Sequence, residues 1–196
     1  MNIIHSITVF CGSSAGSESI FAEKAFALGQ KMARENITLI YGGAKVGLMG
    51  AVADGCLQSG GKAIGVLPHF LSSKEIAHSH LTELILVSTM HERKTKMHEL
   101  SDGFIALPGG FGTFEELFEI LTWAQLGLHK KSIGLLNING FYTPLLNMID
   151  NMVAKELLKP INRDMLIIEN EMDALFQKMR TYEAPLVPKW IKDGES

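Results

Sequence analysis

The stretch GFIALPGGFGTFEEL (103–117) decides the fold. Gly103 to Pro108 form a short apolar run with no polar alternation. Gly109, Gly110 and Gly112 follow, and then Phe114, Leu117, Phe118, Leu121 and Ala124 recur at helical spacing. An apolar strand, a glycine turn and an amphipathic helix make one half of a βαβ unit, and a strand without alternation is buried on both faces.

Working outward, the pattern repeats along the chain. Apolar runs lie at 3–10, 37–42, 62–67, 83–88, 132–138 and 165–170. Helical faces lie between them, such as Phe21, Ala25, Leu28, Gly29 and Met32, or Leu145, Met148, Ile149, Met152 and Val153. This alternation predicts an α/β fold: one parallel sheet of about seven strands with helices on both faces. The 196 residues suit one domain spanning 1–196, and no repeat or linker divides it. APLVPKWIKDGES (184–196), with Pro185 and Pro188, reads as a surface tail.

Composition narrows the function classes. The net charge of −3 argues against a broad nucleic-acid footprint. No stretch approaches the roughly 20 apolar residues of a membrane span. MNIIHSITVF has neither the basic nor the long apolar region of a secretory signal, so a cytoplasmic protein is expected. Cys11 and Cys56 are too far apart for a metal knuckle and too few for a disulfide framework. The histidines show no H-E-x-x-H spacing, and no metal site is expected.

Ligands of an open parallel sheet bind beyond the carboxyl ends of its strands. Three glycine-rich turns fall at that edge: CGSSAGS (11–17), GGAKVGLMG (42–50) and GGFGT (109–113). Such turns let backbone approach a ligand, and a helix that follows offers unpaired N–H groups to a phosphate. Two familiar versions fail. Lys45-Val46-Gly47 is followed by Leu48 and Met49, not by the Lys-Ser/Thr of a Walker A loop. Gly110-Phe111-Gly112 reaches Glu115 where a dinucleotide fingerprint has a small residue. A single phosphate fits better, with the carboxylates directed at something else.

Glu115, Glu116 and Glu119 follow the third turn at once. Thr113-Phe114-Glu115-Glu116 matches a capping box, which would make Glu116 a helix cap. Carboxylates beside a bound sugar phosphate are also what glycosidic cleavage requires. A second polar cluster, MHERKTK (90–96), opens the helix after the fourth strand. Its Arg93 can pair with a phosphate or a carboxylate, or belong to a wet basic face. A base would be lined by apolar side chains such as Met90, Met97 or Leu126.

MHERK (90–94) followed by ALPGGFGTFEEL (106–117) resembles the paired signature of the Lonely Guy (LOG) family, cytokinin riboside 5′-monophosphate phosphoribohydrolases also labelled lysine decarboxylases. FCGSSAG (10–16), YGGAKVGLMGAVADG (41–55) and 120–142 extend the resemblance over nearly the whole chain, with Phe111 where many relatives have Tyr. The resemblance implies a Rossmann-like fold, a homodimer, no cofactor, and hydrolysis of the N-glycosidic bond of a nucleoside 5′-monophosphate, AMP among the expected substrates. It implies Arg93 and Glu116 as the catalytic pair. It implies Gly109, Gly110, Phe111, Gly112, Thr113 and Glu115, with Lys94, as the nucleotide-binding segment, and Glu75 and Thr122 as further substrate contacts. Ser13 and Ser14 of the first turn and Gly43 of the second are added as expected polar or backbone contacts. A molybdenum cofactor carrier on the same fold is the competing expectation. It would use the glycine turn but would not require Arg93 and Glu116 together. The decarboxylase label would need a Schiff-base lysine, and none is singled out among Lys45, Lys94 and Lys96.

Overall fold

The computed structural model describes residues 2–72 and 77–185. Glu75 and most of the expected tail lie outside the described residues. Seven parallel strands form one sheet in the order β4-β3-β2-β1-β5-β6-β7. They are β1 (Ser6–Phe10), β2 (Thr38–Tyr41), β3 (Ala63–Pro68), β4 (Glu83–Val87), β5 (Gly103–Ala106), β6 (Ser132–Leu136) and β7 (Leu166–Glu169). Each expected apolar run supplies one strand, most of them shorter than the run, while β3 reaches one residue further to Pro68.

The helices are α1 (Ser19–Arg34), α2 (Gly47–Gln58), α3 (His69–Ser72), α4 (Met90–Glu99), α5 (Phe111–Gln125), α6 (Thr143–Ala154), α7 (Pro160–Arg163) and α8 (Met172–Thr181). One core packs α1, α2 and α8 on the sheet through Leu28, Met32, Val52, Phe176 and Met179. The other packs α4, α5 and α6 on the opposite face through Met97, Leu117, Ile120 and Ile149. Phe21, Ala25, Leu28, Gly29 and Met32 are all buried, as the helical spacing predicts.

Two expected faces shift. In α5, Phe118 turns outward and Thr113 is buried in its stead. In α6 only Ile149 of the expected face is buried, and Met148 is exposed. Both helices lie on the outer side of one sheet face, so a single stripe covers the core and its flanks remain open. Met97 is core at 2% exposure, which removes it from any base-lining surface.

The chain starts at the centre of the sheet with β1, runs outward to β4, then returns to the other side of β1 as β5. The crevice between β1 and β5 is therefore the switch point at which such sheets bind ligands.

Candidate active site

At that switch point the first and third glycine turns meet. The Gly12 N–H donates to the Pro108 carbonyl at 3.0 Å, and the Leu48 N–H at the start of α2 donates to the Gly12 carbonyl at 3.0 Å. A crevice of about 290 Å³ opens there, lined by Ser13, Ser14, Gly109 and Gly110 and floored by Phe21 and Phe141. Ser14 Oγ accepts from the Gly16 N–H, which holds the first turn in shape.

The glycines of the third turn divide by role. A Cβ on Gly109 would lie 2.1 Å from Thr113 Oγ1, so this glycine admits the buried Thr113. A Cβ on Gly110 or Gly112 would meet nothing within 4 Å, and neither φ is left-handed. No packing or backbone demand asks for glycine at those two positions. They leave the first turn of α5 open to an approaching group, beside the N–H groups of Phe111, Gly112 and Thr113 that no helical carbonyl can reach.

The capping box expected at Thr113 does not form. Gly110 is the N-cap of α5 and makes no side-chain cap bond. Thr113 is instead inside the helix, packed on Gly109, and Glu116 lies a further turn in. The pattern is realised at α4: Thr89 Oγ1 accepts from the Glu92 N–H at 3.1 Å, and Glu92 Oε2 accepts from the Ser88 N–H at 2.7 Å. That cap fixes the start of α4, where Arg93 closes the first turn and Lys94 follows it.

Those two cations meet the three carboxylates of α5. Arg93 Nη1 donates to Glu116 Oε1 at 3.1 Å, and Arg93 Nε donates to the Val66 carbonyl at 3.1 Å. Both side chains are only 12% exposed. Lys94 Nζ donates to Glu115 at 2.6 Å and to Glu119 at 2.8 Å. Burial raises the Glu116 pKa, and the Arg93 charge opposes it without cancelling it. Burial works against the Lys94 ammonium, but its bonds to Glu115 and Glu119 prevail and raise its pKa. Cys11 lies close enough that burial, with the Glu116 charge adding to it, pushes its thiol up. It is a buried free cysteine, as is Cys56.

Arg93, Lys94, Glu115 and Glu116 thus form one cluster beside the Gly109–Thr113 turn. Other expected contacts stand apart. Thr122 is exposed and donates to the Phe118 carbonyl of its own helix. Gly43 lies in the turn after β2 and packs toward Leu84, Gly65 and Leu67, not toward the crevice. Glu119 had no sequence signal beyond helical spacing, yet it is the second anchor of Lys94. Among the described residues no group of three His, Cys, Asp or Glu side chains could hold a metal. No helix among them is long and apolar enough to cross a membrane. A pyridoxal cofactor does not fit this cluster: Lys94 is held as an ammonium between two carboxylates, and Lys96 pairs outward with Glu99.

A doubly wound parallel sheet with a glycine turn at its switch point and a buried Arg–Glu pair beside it defines a Rossmann-like α/β protein. Residues 49–179 match the family model described as "Possible lysine decarboxylase". The chain belongs to this family, the Lonely Guy (LOG) group. It is 46% identical over 90% of its length to the Oryza sativa subsp. japonica "Probable cytokinin riboside 5'-monophosphate phosphoribohydrolase LOGL1", of which it covers 79%. It is 45% identical over 90% of its length to the Rhodococcoides fascians cytokinin riboside 5′-monophosphate phosphoribohydrolase, of which it covers 89%. The Arabidopsis thaliana relative LOG5, of the same named activity, is 43% identical over 90% of this chain and 78% of its own. Among solved structures, a molybdenum cofactor binding protein from Rippkaea orientalis superposes with a TM-score of 0.66 at 21% identity, over 90% of this chain and 95% of that one. The Moco carrier protein of Chlamydomonas reinhardtii reaches 0.67 at 19% identity, over 92% of this chain and 100% of that one. At these identities the likeness is one of fold.

Proposed function

We propose that this protein hydrolyses the N-glycosidic bond of nucleoside 5′-monophosphates, releasing a free base and ribose 5-phosphate. The observation that carries the reading is the buried Arg93–Glu116 pair beside a glycine turn suited to one phosphate. The named activity of relatives at 43–46% identity supports it. The 5′-phosphate rests on the open N–H groups of Phe111 to Thr113, with Ser13 and Ser14 across the crevice. The ribose then points along α5 toward Glu116.

Glu116, with its raised pKa, is a stronger base than an ordinary glutamate. It takes a proton from water as the water oxygen bonds to C1′ and the C1′–N bond breaks. The departing base takes the bonding electrons and needs one proton, and the proton on Glu116 is at hand. Arg93 holds the carboxylate in place and keeps enough negative charge on it to steady the sugar cation. Glu115 and Lys94 sit at the ribose side.

AMP and prenylated AMP are both substrates in this reading, and the protein works in the cytoplasm as a homodimer. The outward face of α5 supports a partner: Phe111 is 97% exposed and Phe118, two turns on, is exposed beside it. Sedimentation at micromolar concentration tests the dimer. Base release from AMP and isopentenyl-AMP, followed by chromatography, tests the chemistry. Wild type releases base, while Glu116→Gln binds AMP and releases almost none. AMP binding without base release by the wild type would favour a carrier.

A further inference from the structure

Gly42 follows β2, and its neighbour is the Arg93 guanidinium. A Cβ built on Gly42 would lie 2.3 Å from Arg93 Nη2 and 3.1 Å from Met49 Sδ. An arginine on the surface would swing clear of a new methyl group. Arg93 cannot do so without breaking its bonds, because Nε is held by the Val66 carbonyl and Nη1 by Glu116. The φ of Gly42 is not left-handed, so the backbone does not demand glycine. The demand is for the volume the guanidinium fills.

The next residues fasten this turn. Gly43 has φ +78°, and its carbonyl accepts from the His78 N–H at 2.9 Å. Ala44 bridges to Ala77. His78 Nδ1 accepts from the His80 N–H at 3.2 Å, which leaves Nε2–H to donate to Asp54 Oδ1 on α2 at 3.1 Å. The His78 side chain is 7% exposed. The imidazole therefore ties α2 to the segment that grips the turn.

We infer that the second glycine turn is the seat of the Arg93 guanidinium: Gly42 makes the space, and the Asp54–His78 pair fastens the turn through Gly43. Gly42, Asp54 and His78 are positioning residues. Their effect on turnover rests on the phosphoribohydrolase reading, whereas the seat itself is a property of the fold.

The test is a double-mutant cycle on the full chain with Gly42→Ala and Arg93→Ala. In thermal unfolding, Gly42→Ala lowers the melting temperature of the wild type and changes that of Arg93→Ala little, because the added methyl then has room. An equal loss in both backgrounds overturns the seat, whatever the activity. In AMP hydrolysis, Gly42→Ala loses about 10²-fold in kcat with KM little changed, the usual scale for a misplaced catalytic group. An unchanged kcat overturns the positioning role. If the wild type itself releases no base, the phosphoribohydrolase reading fails, and the thermal cycle still decides the seat. For the fastening, Asp54→Ala lowers kcat and Asp54→Asn, which keeps an acceptor oxygen for His78 Nε2–H, restores it. Full activity in Asp54→Ala, or no rescue by Asp54→Asn, overturns that part.

Discussion

Arg93 Nη1 and Glu116 Oε1 lie 3.1 Å apart although 23 residues separate them in sequence. Each residue is in the first half of a helix, and the two helices pack on the same sheet face. Removing one member leaves the other buried without its countercharge. Breaking such a pair costs on the order of 3–5 kcal/mol when the remaining group stays charged. Glu116 can escape by taking up a proton. Its folded pKa is already raised, and losing Arg93 raises it further. A raised folded pKa contributes stability that is present in acid and lost as pH rises through the folded value. Arg93→Ala is therefore expected to lose more stability at pH 8 than at pH 5. Urea midpoints at the two pH values check this, and equal losses would show that removing Arg93 does not change the protonation of Glu116 between pH 5 and pH 8.

The same carboxyl sets the acid side of the activity profile. The proposed base must be ionised, and burial raises its pKa. The acid limb of kcat/KM should lie above the ordinary glutamate range. Glu115 and Glu119 push the Glu116 pKa up and Lys94 pulls it down. Glu115→Gln should move the limb to lower pH, and Lys94→Met should move it to higher pH. Opposite shifts in the two variants are the diagnostic result. A limb that moves in neither belongs to another group.

The third glycine turn separates folding from binding. Gly109→Ala puts a methyl group against Thr113, so the expected outcome is a lower melting temperature. Gly112→Ala meets no protein atom and replaces a poor helix former, which stabilises α5 by up to about 1 kcal/mol. The same methyl group intrudes where the phosphate is proposed to sit. A protein that melts higher but binds AMP at least tenfold more weakly by calorimetry is expected from Gly112→Ala. Unchanged affinity would move the phosphate elsewhere.

Much of this was legible in residue pattern. The buried strands read as unbroken apolar runs, and the three glycine turns marked their carboxyl ends; the switch point needed the strand order, which no run of residues carries. The Arg93–Glu116 pair came from resemblance, since nothing local ties MHERK to GTFEEL. The start of α5 misled because T-x-x-E occurs twice, at Thr89 and at Thr113, and only the surroundings distinguish them. At Thr113 two glycines let the helix begin earlier and draw the threonine inward. The Asp54–His78 contact joins α2 to a loop 24 residues on, and no periodicity foretells it. Gly42 was visible as a turn glycine, but its purpose needed the position of the guanidinium.

The far ends of α4 and α5 carry a different titration. His98 closes α4, where its ring stacks on Phe104 at 5.8 Å and meets the His129 ring at 5.1 Å and Trp123 at 5.2 Å. Its Nε2 is buried without a hydrogen-bond partner. His129 follows α5; its Nδ1 accepts from the Lys131 N–H, so Nε2–H donates to the Ile120 carbonyl at 2.9 Å. Lys131 Nζ donates to the His98 carbonyl at 2.6 Å, placing a positive charge against both rings. Burial pushes the His98 pKa down from 6.5 to about 4, with Lys131 and His129 adding to the shift and Glu99 opposing it. Burial also lowers the His129 pKa, against its bond to Ile120. Both rings are thus neutral in the folded protein at pH values where the unfolded chain binds protons. Stability is full above about pH 6.5, the unfolded value, and falls as pH drops through the window down to about 4 for His98. His98→Leu keeps an apolar body on Phe104 and removes the proton-binding site. Its melting temperature should fall less steeply between pH 7 and pH 4 than that of the wild type. Parallel curves for the two proteins would place the acid sensitivity in other groups.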